Sequence, residues 1–204
     1  MRYRCGVEKL RILAEACQHT TRWPPPPDEP FLREAYVFGE VLDGADPIDH
    51  LEVALVLNLP SEEVPWESHP HGTDWLVREL RLDKGGYAYW WRSREDPVWN
   101  HHIRGPVRFW SLDGPDDDVL RALSERRFAD LPRVTAAPAE IHQRAVTELD
   151  AALARLRDVH RNYWERDWRR EHRGNYRYPE NELWEAVDGY LDLLDAAAAP
   201  DRHG

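Results

Sequence analysis

The sequence predicts an α/β (α+β) protein: a mixed β-sheet with flanking helices, followed by a C-terminal antiparallel two-helix hairpin. Three observations carry this. Residues 34–42, 50–59, 87–92 and 106–112 read as strands, each bounded by Gly-, Pro- or Asp-rich turns. From Pro138 onward the apolar residues switch to helical spacing. Ten tryptophans, with 42% hydrophobic and 32% charged residues, supply a core that a disordered acidic chain would lack. The change of character divides the chain into an α/β core, 1–132, and a helical hairpin, 138–199.

The first element is a short helix whose face holds Val7, Leu10, Ala14 and Cys17. The tetraproline Pro24–Pro27 then imposes an extended connection. Two strands follow, Glu34–Leu42 and His50–Leu59, around the turn Asp43-Gly44-Ala45-Asp46-Pro47. In the second, Leu51, Val53, Leu55, Leu57 and Leu59 share one parity and mark the core face; His50, Glu52, Ala54, Val56 and Asn58 take the other. After the loop Pro65–Gly72, Thr73 is placed to cap a helix carrying Trp75, Leu76, Leu80 and Leu82. Gly85-Gly86 ends it before the strand Tyr87–Arg92.

The strand Pro106–Leu112 precedes the turn Asp113-Gly114-Pro115. Asp116, Asp117 and Asp118 then load the first turn of a helix, where acid complements the macrodipole. Pro138 opens a long helix to about Glu171, striped by Ile141, Ala145, Leu149, Ala152, Leu156, Val159 and Tyr163. Gly174 ends that helix, and Glu180–Ala198 forms the next, striped by Leu183, Val187, Leu191 and Leu194. A short connection makes the two antiparallel.

The formal charge of −11 argues against nucleic acid and anionic membrane as general partners. No apolar run approaches the ~20 residues that span a bilayer, and Met1–Leu13 is too charged for a signal peptide. A cytoplasmic location is expected. Lys9 and Lys84 are the only lysines; a GC-rich genome accounts for the arginine bias. Cys5 and Cys17 match no zinc or disulfide spacing and read as buried hydrophobes.

Ala35-Tyr36-Val37-Phe38-Gly39-Glu40, followed by His50-Leu51-Glu52-Val53-Ala54, resembles the signature region of the minimal nucleotidyltransferases of the polymerase-β superfamily. There a strand ends in Phe-Gly-Ser and the next carries Asp-x-Asp. Residues i and i+2 of a strand share a face, so two carboxylates there hold two Mg²⁺ ions about 4 Å apart. The Gly-Ser turn brings backbone amides to the triphosphate. This chain departs at each chemical position. Glu40 replaces the serine, and the metal positions fall on His50 and Glu52, or on Glu52 and Ala54. The strands Tyr87–Arg92 and Val107–Leu112 hold no third acid. The resemblance implies a core that has lost catalysis, with Gly39, Glu40, His50 and Glu52 as a vestigial binding site. Chance similarity in an unrelated α/β fold and a surviving transferase both stay open.

A second resemblance runs along the chain. Arg81-Leu82-Asp83-Lys84, the run from Pro97 to Gly114, Asp167-Trp168-Arg169-Arg170-Glu171-His172-Arg173-Gly174, and Trp184 to Asp192 are similar to an uncharacterised family of actinobacterial proteins. It implies relatives and no mechanism.

Other groupings have structural explanations beside functional ones. His69-Pro70-His71, with Glu67 and Asp74, lacks an assured third metal ligand, and no metal is expected. Of His101 and His102, adjacent residues that point apart, one can line a pocket with Arg104 and Arg108. Arg161–Arg177 interleaves arginines with Tyr163, Trp164, Trp168 and Tyr176, which suits phosphate or single-stranded RNA. It equally suits a hairpin that clamps the sheet through Trp164, Trp168 and Trp184 and pairs with the acidic final helix. Trp168, Arg169 and Arg170 are therefore the candidate partner surface.

The expected function is a non-catalytic binding or interaction protein without a cofactor. The rival from another class is a Mg²⁺-dependent nucleotidyltransferase in which Glu52 is completed by Asp43, Asp46 or Asp49. A third is a regulatory or toxin–antitoxin partner docking through Arg161–Tyr178. Oligomeric state is not legible.

Overall fold

A computed structural model describes residues 1–22, 29–173 and 177–199. Pro24–Pro27 and Gly174 lie outside those residues. The chain opens with helix α1, Tyr3–Thr20, which buries Tyr3, Val7, Leu10, Leu13, Ala14 and Cys17, so the expected stripe is correct and the helix longer at both ends. Cys17 is buried as expected, and burial pushes its thiol pKa up. Cys5 is exposed, contrary to expectation.

Five strands follow: β1 (Leu32–Phe38), β2 (Leu51–Leu57), β3 (Tyr87–Ser93), β4 (Val107–Ser111) and the two-residue β5 (Gly114–Pro115). They form one mixed sheet in the order β3-β2-β1-β4-β5. β2 and β3 are parallel and the other pairs antiparallel. The connection from β2 to β3 carries helix α2, Asp74–Glu79. Thr73 holds the N-cap position as expected, but its hydroxyl donates to Pro70 O at 2.7 Å instead of accepting a bond from the helix. Helix α3, Asp117–Ser124, has the acidic start read from sequence, and Asp116 Oδ1 accepts the Val119 N–H at 3.0 Å.

β1 stops at Phe38 rather than Leu42, because Gly39 adopts φ +72° and leads into a 3₁₀ turn, Gly39–Asp43. β2 departs from the alternation argument. Leu51, Val53, Leu55 and Leu57 are buried, but so are Ala54 and Val56. The strand is central, has a parallel partner, and is covered on both faces. Helix α1 covers one face, where Tyr87 Oη donates to Lys9 O and Trp110 Nε1 to Gln18 Oε1. The opposite face carries the rows Phe38–Glu52–Ala88, Tyr36–Ala54–Trp90 and Glu34–Val56–Arg92.

The C-terminal region meets that second face. Helix α4 spans Pro138–Asn162 and helix α6 spans Pro179–Ala198, packed together. The single long helix expected to Glu171 is broken at Tyr163–Glu165, and a short helix α5, Arg166–Glu171, follows. Arg169 closes the break: its guanidinium donates to Tyr163 O and lies over the Tyr163 and Trp164 rings. A terminal carbonyl that a continuing helix would have bonded is satisfied from six residues ahead.

The apolar stripe predicted for α6 is also corrected. Beyond Pro179 at its start, the buried positions are Ala186, Gly189 and Leu193, whereas Leu191 and Leu194 are exposed. Small residues win because the helix approaches backbone. A Cβ on Gly189 would lie 2.6 Å from Trp66 O.

α4 joins the core through Ala145 and Ala152, and the sheet through charge. Arg92 on β3 and Glu148 on α4 are 2% and 5% exposed. Arg92 Nη2 donates to Glu148 Oε1 at 2.6 Å and to Pro97 O at 2.8 Å. Asn100 Nδ2 donates to Glu148 Oε2 at 3.0 Å. Arg144 donates from Nε to Glu148 at 2.7 Å and pairs through Nη2 with Asp96 at 2.8 Å. Burial alone would raise the Glu148 pKa, but the Arg92 and Arg144 charges and the Asn100 amide hold it below the usual carboxylate range. Among the described residues, no helix is long and apolar enough to cross a membrane.

Glu148→Ala leaves Arg92 buried and unpaired, with an expected loss of about 3–5 kcal/mol in urea unfolding. Arg92→Met/Glu148→Leu, which removes both charges, is expected to lose less than Glu148→Ala alone. Because the folded pKa of Glu148 is depressed, its contribution is present above the unfolded carboxylate pKa of about 4.3 and is lost as pH falls through the folded value. Thermal unfolding between neutral and acid pH, compared with Glu148→Gln, reads that loss.

Candidate functional site

The predicted site residues divide between two places. Glu52 lies opposite Phe38 in the β1–β2 ladder, beside the turn at Gly39. A Cβ built on Gly39 would lie 1.6 Å from Glu52 Oε2. The Glu52 carboxylate thus lies against the Gly39 backbone. Glu40 turns the other way and accepts the Asp49 N–H at 3.1 Å. His50 is exposed just before β2. Gly39 and Glu52 are brought together, while Glu40 bonds the Asp49 backbone.

Two of the three acids weighed as completing Glu52 are engaged elsewhere. Asp43 pairs with Arg133 at 3.2 Å. Asp46 accepts the Tyr3 N–H at 3.2 Å and faces Arg126. Asp49 is exposed. Among the described residues no group of three or more His, Cys, Asp or Glu side chains could hold a metal ion, His69 and His71 included.

Next to Glu52 the sheet carries an aromatic cluster. Phe38 and Trp90 lie 5.4 Å apart between centroids, and His102 sits 4.6 Å from Trp90 and 5.9 Å from Phe38. Trp66 stacks parallel to Trp90 at 6.4 Å. Partial burial lowers the His102 pKa, against Asp192 and Glu52, which favour its charged form. His102 is the loop histidine that the sequence could bring to the site. Arg104 instead donates to His101 O, and Arg108 pairs with Glu34 at 2.9 Å.

Polar groups around this cluster fasten it to α6. Asp192 Oδ2 lies 2.7 Å from both Trp66 Nε1, which donates to it, and His101 Nε2. Trp90 Nε1 donates to Glu67 at 3.0 Å. Glu67 has the left-handed φ of 59°, uncommon for a residue with a side chain. Burial raises its pKa, opposed by the Trp90 bond and reinforced by Asp192 and Asp188. Sequence reasoning missed Trp66, Trp90 and Asp192 as members of one cluster. The adjacent pair Trp90-Trp91 was the available signal, since neighbours on a strand face opposite sides.

The Arg161–Arg177 stretch is used as the structural explanation required in its charges but not in its tryptophans. Arg169 pairs with Glu180 at 3.0 Å, and Arg177 with Glu182 and Glu185 at 3.0 and 2.6 Å. Trp168 stacks on His172 at 4.1 Å. Trp164 is 82% exposed and Trp184 66% exposed, so neither clamps the sheet. Arg170 is exposed.

Between the segment that bears His69 and the helices α4–α6 lies a cavity of about 810 Å³. Its wall includes His69, His71, Trp75, Arg155, Arg177 and Glu182. His69 Nε2 and Asp74 Oδ1 are 3.1 Å apart. Burial, then the Arg177 charge, lowers the His69 pKa, against the bond to Asp74. Arg155 joins Glu182 and Glu185 at 3.2 and 3.3 Å. The volume is that of a small-molecule site.

Residues 1–199 match the family described as "Domain of unknown function (DUF7711)", and the chain belongs to that family. Comparison with curated proteins gives no match, and comparison with solved structures gives none.

Gly39→Ala is expected to cost more than about 1 kcal/mol, because the left-handed φ and the Glu52 carboxylate both oppose a Cβ. Adding Glu52→Ala removes the collision and not the φ penalty. The double variant is therefore expected to recover only part of the loss in urea unfolding.

Proposed function

We propose that this member of the DUF7711 family is a non-catalytic binding protein, with a nucleotidyltransferase-like core whose phosphate and metal site is vestigial. The single observation that carries this is the Glu52 carboxylate lying across Gly39. A triphosphate approaching that backbone would meet a negative charge already in place, and Coulomb repulsion at short range disfavours it. Transferase chemistry also asks for two carboxylates on one strand face to hold a metal pair. Here Glu52 is followed on its face by Ala54, and Asp43 and Asp46 are spent on Arg133, Tyr3 and Arg126.

The cavity beside His69 supports binding as the retained role, since it stands apart from Glu52 and is large enough for a small molecule. A second reading, a protein partner docked at Arg161–Tyr178, is favoured by the exposure of Trp164.

Thermal unfolding with nucleoside triphosphates, with and without Mg²⁺ or Mn²⁺, tests the vestigial site. A ligand at about 100 times its dissociation constant stabilises by about 2.7 kcal/mol. No metal-dependent shift is expected for the wild-type chain. A shift that requires Mg²⁺ and disappears in Glu52→Ala would restore the transferase and overturn this reading.

A further inference from the structure

Six buried side-chain nitrogen or oxygen atoms among the described residues have no hydrogen-bond partner. Three of them, Ser68 Oγ, Trp75 Nε1 and Arg155 Nη1, belong to residues that line the cavity of about 810 Å³ beside His69. These residues share one neighbourhood of the wall. Ser68 precedes His69 and Trp75 follows Asp74, and the His69 and Asp74 side chains lie 3.1 Å apart. Arg155 shares Glu182 with Arg177, whose charge acts on His69. All three atoms can donate, and the indole and guanidinium nitrogens can do nothing else. Folding took these donors from water and gave them no acceptor in return, an arrangement that proteins keep rare.

The mouth of the cavity has a different character. Among the described residues its exposed carboxylates are Glu29, Glu62, Glu63, Asp158 and Glu171, against the exposed guanidiniums of Arg78 and Arg173. Deeper in, the charges of Arg155 and Arg177 are matched by Glu182 and Glu185. A ligand therefore meets negative charge on entering and unfilled donors beyond it. A phosphate would satisfy the donors but is repelled at the mouth. A polyamine suits the mouth but brings the donors no acceptor. A short basic peptide that enters by its C-terminus meets both demands, with carbonyl and carboxylate oxygens inside and cationic side chains outside. The volume lies in the upper part of the roughly 300–1,000 Å³ range of small-molecule sites, which is room for a few residues.

We infer that this cavity binds the carboxyl end of a short basic peptide. Its carboxylate and backbone carbonyls accept from Arg155, Trp75 and Ser68, and its cationic side chains lie beside Glu62 and Glu63. The inference rests on the reading of this cavity as the retained binding site and is independent of Glu52.

Isothermal titration calorimetry of the full chain with trilysine, its C-terminal amide and triglycine tests it. Trilysine is expected to bind, and the amide and triglycine to bind about tenfold or more weakly, the worth of one hydrogen bond to a charged group. The amide carries one more positive charge than trilysine. Non-specific attraction to a chain of net charge −11 would therefore favour the amide, the reverse of the expected order. Trp75→Phe and Ser68→Ala each remove one donor and are expected to weaken trilysine about threefold with thermal unfolding retained. Glu62→Gln/Glu63→Gln, at two exposed positions, should weaken trilysine and leave triglycine unchanged. Absence of trilysine binding at millimolar concentration overturns the inference. So does an amide that binds as well as trilysine, or trilysine binding that none of these variants alters. Such a failure leaves the vestigial Glu52 site standing, because that reading is decided by the Mg²⁺-dependent nucleotide shift.

Discussion

A carboxylate and a guanidinium enclosed between the sheet and α4 hold this architecture together. Arg92 projects from β3 into a space where water no longer solvates it, and Glu148 is the group that makes this tolerable. The net gain from such a pair is small, because desolvating two charges offsets most of their attraction. Its positional effect is large, since a shift of α4 away from β3 would leave two buried charges unpaired. Asn100 extends the constraint. Its amide donates to Glu148, while its carbonyl accepts the His102 and Ile103 N–H groups. The hairpin, the sheet and the loop that presents His101 and His102 are thus fixed by one set of bonds.

The same arrangement determines what surrounds Glu52. Its row on the sheet, Phe38–Glu52–Ala88, adjoins the row of Trp90, and beyond that lies the row of Arg92. The loop anchored at Asn100 passes over this face and lowers His102 onto Trp90 and Phe38. Gly189 then lets α6 descend to the Trp66 backbone, bringing Asp192 within reach of both Trp66 and His101. Each contact near the predicted site descends from a longer-range one. The aromatic cluster is consequently a joint between elements as well as a surface, and the raised pKa and left-handed backbone at Glu67 sit at that joint.

The sequence made visible what depends on neighbours along the chain. The α1 stripe, the ends of β3, the Asp116 cap and the start of α6 all follow from spacing, turns and helix-end chemistry. It concealed what depends on partners far away. Ala54 and Val56 have the parity of a solvent face, yet they are buried, in the rows of Trp90 and Arg92 on which Trp66, His102 and Glu148 come down. Leu191 and Leu194 look like an inner stripe, but Ala186 and Gly189 allow a closer approach on another side. The break after Asn162 is unmarked by glycine or proline and is closed by Arg169. At the site, Gly39 and Glu52 were legible as a pair because a turn and a strand register join them. Trp66 and Asp192 meet each other across 126 residues of chain, where no local pattern reaches.

Arginine usage gains a physical basis from these placements. Arg144 bonds two different carboxylates through two nitrogens, Nε to Glu148 and Nη2 to Asp96. Arg177 and Arg155 share Glu182 and Glu185, tying the connection and α4 to α6. A lysine ammonium offers one charged atom at the end of a flexible stem, and cannot span two carboxylates with the directional fork of a guanidinium. A chain of net charge −11 has carboxylates to spare, so the scarce resource is the cation able to join them. The joints between α4, α6 and the sheet are where such cations are found, which leaves Arg157, exposed on the outer face of α4, as a charge without a described partner in its own chain.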